Sequence, residues 1–430
     1  MKNFLCILFT ALLVILSGCE KNDTAGTYFQ SGFNEDKLIN NDLSSLNKRI
    51  DFKDNPFMYT FYDPVLDSKG TPASSIEIEV IADMESPVYK NEILQASHIR
   101  IVDGFAYIGY NTKGERYLGG IDIVDVNPAT DPRLISNVIF INPETNCGKD
   151  VSSIDIEPKI PGFNNFVWIA GAEEGNPLLT SPAIAERFTL NAENQFQLTN
   201  VPREVYDLKG YVGTDIRFFN NRIYVTSGTG GGLTVLNNQM RELNFYDIEN
   251  ARSVDVNKYY TVALGGNPGH LYNPGVWDSK IGGATDPEAK SMVRLCYETH
   301  GTIVTKGAKC TGNFALAALG EDGLKCFNLD VSSSVPVSTL PRPAIQDETK
   351  EWNYVTNGVS IANGGWVYIA NGAAGLDIAK MDLYGNLTHL GNINLGESVN
   401  FVEASDNYVF VATGLGGLKI LRVKENQITY

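Results

Sequence analysis

One short unit recurs seven times along this chain, and that repetition constrains the fold more than any other feature. The clearest copies run from Val399 to Leu421 and from Val359 to Ile378. Both read as a strand, a tight turn, a strand ending in Ala, a Gly-containing turn, then Gly-Leu-x-Ile. Further copies centre on Ala106–Gly109, Val167–Ala170, Ile223–Thr226, Tyr260–Ala263 and Ala315–Ala318. Taking Tyr107, Trp168, Tyr224, Thr261, Leu316, Tyr368 and Phe410 as equivalent gives steps of 61, 56, 37, 55, 52 and 42 residues. Neighbours in a solenoid must stack in register, and such uneven steps would break that stacking.

The shortest steps match the roughly 40 residues of a four-stranded propeller blade, and the longer ones leave room for loop insertions. From residue 75 onward, apolar runs alternate with period two and are broken by Gly, Asn and Asp, as strands and hairpin turns require. Asp103-Gly104 and Asp406-Asn407 suit turns with positive φ. A Gly opens the third strand at Gly120, Gly232, Gly323, Gly375 and Gly417, where a Cβ would strike the neighbouring strand. The last unit has too little chain after it for a fourth strand. Ser75–Ile81 alternates strongly, belongs to no repeat, and is expected to complete that blade. The predicted fold class is all-β: a seven-bladed β-propeller over 75–430, closed by an N-terminal strand.

The segment Gly120-Ile-Asp-Ile-Val-Asp-Val-Asn-Pro-Ala-Thr-Asp-Pro132 resembles the LVIVD repeat of bacterial and archaeal surface proteins. Leu233–Leu236, Leu376–Ala379 and Leu418–Leu421 keep its strand but not its Asp and Pro. The resemblance implies a propeller on the cell surface and brings no catalytic residues with it. Asp125 reads as a residue capping the turn before Asn127-Pro128.

The first residues read as an address. Met1-Lys2-Asn3 is a positive leader, and Phe4–Leu16 is an apolar run too short to span a bilayer. Leu16-Ser17-Gly18-Cys19 resembles a bacterial lipobox, which implies a signal peptide over 1–18 and acylation of Cys19. Glu20-Lys21-Asn22-Asp23 resembles the export signal of surface lipoproteins in the Bacteroidetes. The expected location is therefore the outer membrane, facing outward, held by lipid. Residues 19–74 are polar and read as a tether with an ordered patch at Phe57–Tyr62. Cys147, Cys296, Cys310 and Cys326 remain in the mature chain, and an oxidising compartment permits disulfides among them.

A net charge of −16 argues against a nucleic-acid partner, because phosphate binding needs clustered Lys and Arg. No catalytic motif stands out. There is no G-x-S-x-G elbow, and Thr226–Gly232 is Gly-rich without a P-loop Lys. H-E-x-x-H, C-x-x-C and EF-hand patterns are missing, and the four His are scattered, so no metal or cofactor is expected. Glu173-Glu174 reads as solvated loop charge.

Two constellations remain. Aligning the units puts His98, Asp155, Asp215, Arg252, Lys306, Ser360 and Asn400 at one shared position on the first strand, which lines the channel. An insertion between Gly265 and Lys290 carries His270, Tyr272 and Trp277, whose rings could stack on a sugar. A less aromatic loop spans Glu173 to Pro182. The favoured function is a non-catalytic binding or adhesion module for a glycan or protein. The alternative is a propeller hydrolase or lyase, with His98, Asp155 and Asp215 at the channel mouth. A third is a structural platform in the envelope. The site, not the fold, must decide among them.

Overall fold

The computed structural model describes residues 27–30, 37–66, 70, 72, 74–112, 116–142, 146–157, 165–197, 203–266, 270–273, 277–280, 292–296, 313–331, 334–344, 354–405 and 407–427. The signal segment, Cys19, Lys306 and Cys310 lie outside the described residues, as do the side chains of Trp277 and Cys296. Seven antiparallel sheets follow one another around a ring. Their innermost strands are Gln95–Val102, Lys149–Glu157, Asp215–Phe219, Ala251–Val256, Met292–Cys296, Gly358–Ile361 and Phe401–Ser405, numbered here as blades 1 to 7. All seven residues taken as equivalent in the sequence lie on second strands. In six blades they share one register level; in blade 4 that level belongs to Val262, one residue after Thr261.

Closure follows the expected plan. Ser74–Met84 pairs antiparallel with Leu418–Gln427 and forms the fourth strand of blade 7. The glycine rule holds at this junction: a Cβ on Gly417, whose φ is +74°, would collide with the Met84 carbonyl. At Gly375 (φ +94°) a Cβ would stand 2.6 Å from the Ile393 carbonyl oxygen. Asp125 accepts the Asn127 N–H at 3.0 Å, so it caps its turn.

The core is a set of apolar layers between blades. One layer packs Trp168, Ala185 and Tyr206 of blade 2 against Ile216, Ile223 and Leu236 of blade 3. A blade strand touches neighbours on both faces, so apolar residues occur on both its faces rather than on one alone.

Of residues 27–30 and 37–62, read from composition as tether, half lie in strands. Thr27–Gln30 adds to the outer edge of blade 2, and Leu38–Asn40 adds to blade 1. Ile50–Phe52 and Met58–Tyr62 both pair with Ser74–Met84 of blade 7. The segment is a belt that covers three outer edges in turn. Its strands are three to five residues long and occur once each, so no repeat betrays them. The side chain of Asn47 acts as another piece of strand, accepting the Leu134 N–H at 3.0 Å and donating to the Leu134 carbonyl at 3.2 Å.

The belt also supplies a countercharge. Asp122 on the third strand of blade 1 is fully buried. Arg49 grips it bidentately at 3.1 and 2.6 Å, and Tyr110 and Asn137 donate to it at 2.7 Å each. A second buried cluster lies in blade 2. Lys149 Nζ reaches Glu186 at 2.8 Å and lies 5.1 Å from the Phe140 ring centroid, while Arg203 bonds both Glu186 and Glu173.

Two predictions follow from these clusters. Removing one partner of a buried pair strands the other charge, so Arg49→Ala should lose about 3–5 kcal/mol by urea denaturation. Adding Asp122→Asn should recover part of that loss, and a chain starting at residue 74 should be less stable than the full chain. In the second cluster, burial raises the Glu186 pKa, but Arg203 and Lys149 outweigh it and hold the carboxyl at about 2. That stabilisation is complete above the ordinary value of 4.5 and is lost as pH falls through 2. Unfolding free energy should therefore fall more steeply from pH 4.5 to 2 in the wild type than in Glu186→Gln.

Candidate functional site

Seven innermost strands meet the axis, and each leaves backbone N–H groups with no strand to receive them. Side chains of the preceding blade fill that need. The Ile154 N–H donates to His98 Nδ1 at 3.3 Å, Ile216 to Ser153 Oγ at 3.3 Å, Val254 to Asp215 at 3.1 Å and Val293 to Ser253 Oγ at 3.2 Å. Two residues further along, Phe218 donates to Asp155 at 2.7 Å, Leu295 to Asp255 at 2.9 Å and Ala404 to Ser360 Oγ at 2.9 Å. Each acceptor belongs to one blade and its donor to the next.

These acceptors form two levels. The first holds His98, Ser153, Asp215 and Ser253. Because Ile154 donates to Nδ1, the His98 proton sits on Nε2, which faces Ser153 Oγ at 3.2 Å. Ser153 in turn donates to Asp215 at 2.7 Å, and Ser253 donates to the other carboxylate oxygen at 2.6 Å. The residue types match a hydrolytic triad, but the order does not. A nucleophilic serine gives its proton to histidine. Here Ser153 gives its proton to the carboxylate and is 1% exposed. Burial raises the Asp215 pKa, yet the Arg217 charge and the two hydroxyl donors hold it below the ordinary carboxylate value.

The second level is charged. Around the ring it reads Arg100, Asp155, Arg217, Asp255, Arg294, Ser360, Glu403. Signs alternate, three positive against three negative. An odd ring cannot alternate all the way round, and Ser360 fills the seventh place. Arg100 bridges Asp155 (2.7 Å) and Glu403 (3.3 Å), and Arg294 meets Glu403 at 2.9 Å. Arg217 is held at 3.4 Å by both Asp215 and Asp255, although its Nε and Nη2 lack a hydrogen bond.

The seven residues aligned in the sequence therefore do not share one position. Asp155 and Ser360 lie in the charged level, and His98 and Asp215 in the other. Arg252 is the extra residue of a bulge, and Asn400 precedes its strand and donates to the Ala96 carbonyl at 3.4 Å. Lys306 lies outside the described residues. Arg100, Arg217, Asp255, Arg294 and Glu403 were missed. Counting inward through each hairpin finds them, but the turn holds two residues in blade 1 and eight in blade 2, so a fixed offset fails.

On the blade 4 insertion, His270 and Tyr272 sit on the third strand and stack at 5.5 Å between centroids. Tyr272 also packs against the apolar layer between blades 3 and 4. Trp277 opens the fourth strand, and its side chain lies outside the described residues. Cys326 is buried, and burial pushes its thiol up to about 12.

Among the described residues, hollows open where the inner hairpins of blades 3 and 4 and of blades 1 and 2 meet. The larger, about 310 Å³, lies between blades 3 and 4. Phe219, Tyr224, Tyr246, Tyr259 and Tyr260 line it, interleaved with Asn220, Asn244, Asn257 and Asn273, and Arg222 and Lys258 flank them. The smaller, about 220 Å³, occupies the corresponding seam between blades 1 and 2 and carries Asp103 and Glu157. Among the described residues no group of three or more His, Cys, Asp or Glu is placed to hold a metal ion.

No protein-family model and no curated protein matches this sequence. Among solved structures the chain is similar to the WD40 β-propeller domain of Doa1, with a TM-score of 0.52 and 9% identity over 80% of this chain and 96% of that one. It is also similar to the computationally designed Ika8 protein, with a TM-score of 0.43 and 9% identity over 79% and 98%. At 9% identity the likeness to the Doa1 domain shows the fold alone. The chain is a seven-bladed β-propeller.

If the axial polar residues are structural, their loss should appear as instability. Ser153→Ala should cost about 1–3 kcal/mol, since it removes the hydroxyl that donates to the buried Asp215 and faces His98 Nε2. Asp215→Ala should cost more, because it abandons two hydroxyls, an N–H and the Arg217 charge together. Denaturation of both variants beside the wild type checks the order.

Proposed function

We propose that this propeller is a lipid-anchored binding module on the outer face of an outer membrane, engaging a glycan or protein through its faces rather than performing chemistry in its channel. One observation carries the reading. His98, Asp155 and Asp215, the groups on which a channel enzyme would rely, are each engaged in holding one blade to the next. A general acid or base must be free to exchange its proton with a substrate. The lipobox-like Leu16–Cys19 and the acidic stretch after it support the anchor. The LVIVD-like segment Gly120–Pro132 supports the surface location. Binding then belongs to loops and seams on a rigid scaffold.

The anchor and the partner are tested separately. Full-length chain expressed in a bacterium should take up labelled palmitate and partition into detergent, and Cys19→Ala should do neither. Protease added to intact cells should digest the wild type if it faces outward and spare it if it faces inward. For the partner, the full chain is screened on a glycan array and cross-linked on intact cells. A specific partner from either screen supports the reading. Turnover of a substrate, abolished by Asp215→Asn in a folded variant, would overturn it in favour of an enzyme.

A further inference from the structure

We infer that the groove between blades 3 and 4 is a saccharide site, and that its preferred ligand is a sugar bearing a carboxylate. The inference rests on the binding reading above and sharpens it.

The first argument is an orphan donor. Asn257 lines the groove and is 5% exposed. Its Oδ1 accepts the backbone N–H groups of Tyr259 and Tyr260, each at 2.7 Å. Those two donors fix which end of the amide is oxygen. The other end, Nδ2, is buried with no acceptor. Buried amide nitrogens in native proteins are nearly always paired, so this one is poised for an acceptor that a ligand brings. A sugar hydroxyl or carboxylate supplies one.

The second argument is the wall. Five aromatic rings interleaved with four amides offer apolar surface and directional polar groups together, as the mixed C–H and O–H surface of a pyranose requires. Most of the rings are fixed in place. Tyr224 packs in the layer between blades 3 and 4, and Tyr260 donates to Asp330 of blade 5 at 3.1 Å. Tyr259, 54% exposed, is the ring most open to a ligand. A volume of about 310 Å³ is at the small end of ligand sites and suits a monosaccharide unit.

The third argument is charge. The chain carries −16, yet the described lining of this groove holds Arg222 and Lys258 and no Asp or Glu. The related seam between blades 1 and 2 shows that the backbone does not impose this. There Glu157 stands where Asn257 stands, and Asp103 where Asn220 stands. One hollow repels an anion and the other attracts it.

The test is calorimetric titration of the full chain with tri-galacturonate and with cellotriose as the neutral arm. Asn257→Asp keeps both accepted hydrogen bonds but removes the free donor and adds a negative charge, and it should weaken uronate binding at least about tenfold. Tyr259→Ala, at an exposed position, should weaken both arms without lowering the melting temperature. Arg222→Gln should remove the preference for the uronate, which should itself fade with added salt. Glu157→Gln in the other seam should change nothing. Equal binding of the neutral trisaccharide overturns the carboxylate preference. Saccharide binding that survives both Asn257→Asp and Tyr259→Ala overturns the site but not the binding module. A cross-linked protein partner with no saccharide bound does the same. No partner of any kind overturns both.

Discussion

Every propeller has an edge that cannot be hidden by adding strands: the seven innermost strands face a shared axis, and their inward N–H groups have no strand opposite. In this protein the need is met by a relay. A serine, aspartate or histidine on one blade accepts from the backbone of the next, at seven observed places and in one rotational sense. The relay determines which residues the inner strands must carry, because an acceptor of the right length is needed at alternate positions. It also places polar side chains at the axis. Acceptors that are ionised need countercharges in a region shielded from water, and the alternating ring of Arg100, Asp155, Arg217, Asp255, Arg294 and Glu403 provides them. Blade 6 is neutral at this level, with Ser360, because seven places cannot alternate in sign all the way round.

The outer edges raise the same problem with a different remedy. There the belt of residues 27–62 adds strands to blades 2, 1 and 7, and Ser74–Met84 closes the ring from the opposite end of the chain. Closure and belt are coupled. Arg49 lies between two belt strands and its charge compensates Asp122, deep in the third strand of blade 1. Its guanidinium also donates to the Glu85 carbonyl at the end of the closing strand. A buried carboxylate in the first blade thus depends on residues translated before any blade, and the N-terminal segment is part of the folding unit.

The ring was legible because its signal repeats. Seven second strands, five glycines and one unrepeated strand at Ser75–Ile81 each carried the same message. The belt was not legible. Its strands are short and occur once each, so Thr27–Gln30 and Leu38–Asn40 carry no repeat to mark them in a polar stretch. The axial levels were half legible. His98, Asp155, Asp215 and Ser360 stood out as polar residues on apolar strands. Their partners Arg100, Arg217 and Glu403 did not, because strand pairing counts symmetrically about each turn while a linear alignment counts in one direction. The groove between blades 3 and 4 was missed for another reason. Phe219-Asn220 and Asn257-Lys258-Tyr259-Tyr260 read as ordinary hairpin turns, and only the ring brings the two turns together.

Satisfaction of hydrogen bonds separates the polar groups that hold this protein from those that can serve a ligand. At the axis the hydroxyl and carboxylate groups are used within the fold, and the nitrogens of Arg217 that lack hydrogen bonds still sit between two carboxylates. Removing any member leaves a buried partner short of a contact. At the seams the repeat supplies the same hollow more than once, and the side chains differ. Glu157 answers to Trp168 within its own blade at 3.4 Å. Asn257, at the corresponding place, divides its amide: the oxygen holds the turn and the nitrogen holds nothing. A neutral donor left over in a rigid, aromatic, cation-flanked hollow has no structural task. The same backbone that orders the axis therefore leaves the seams free to differ, and the seam between blades 3 and 4 combines aromatic rings, cations and a spare donor.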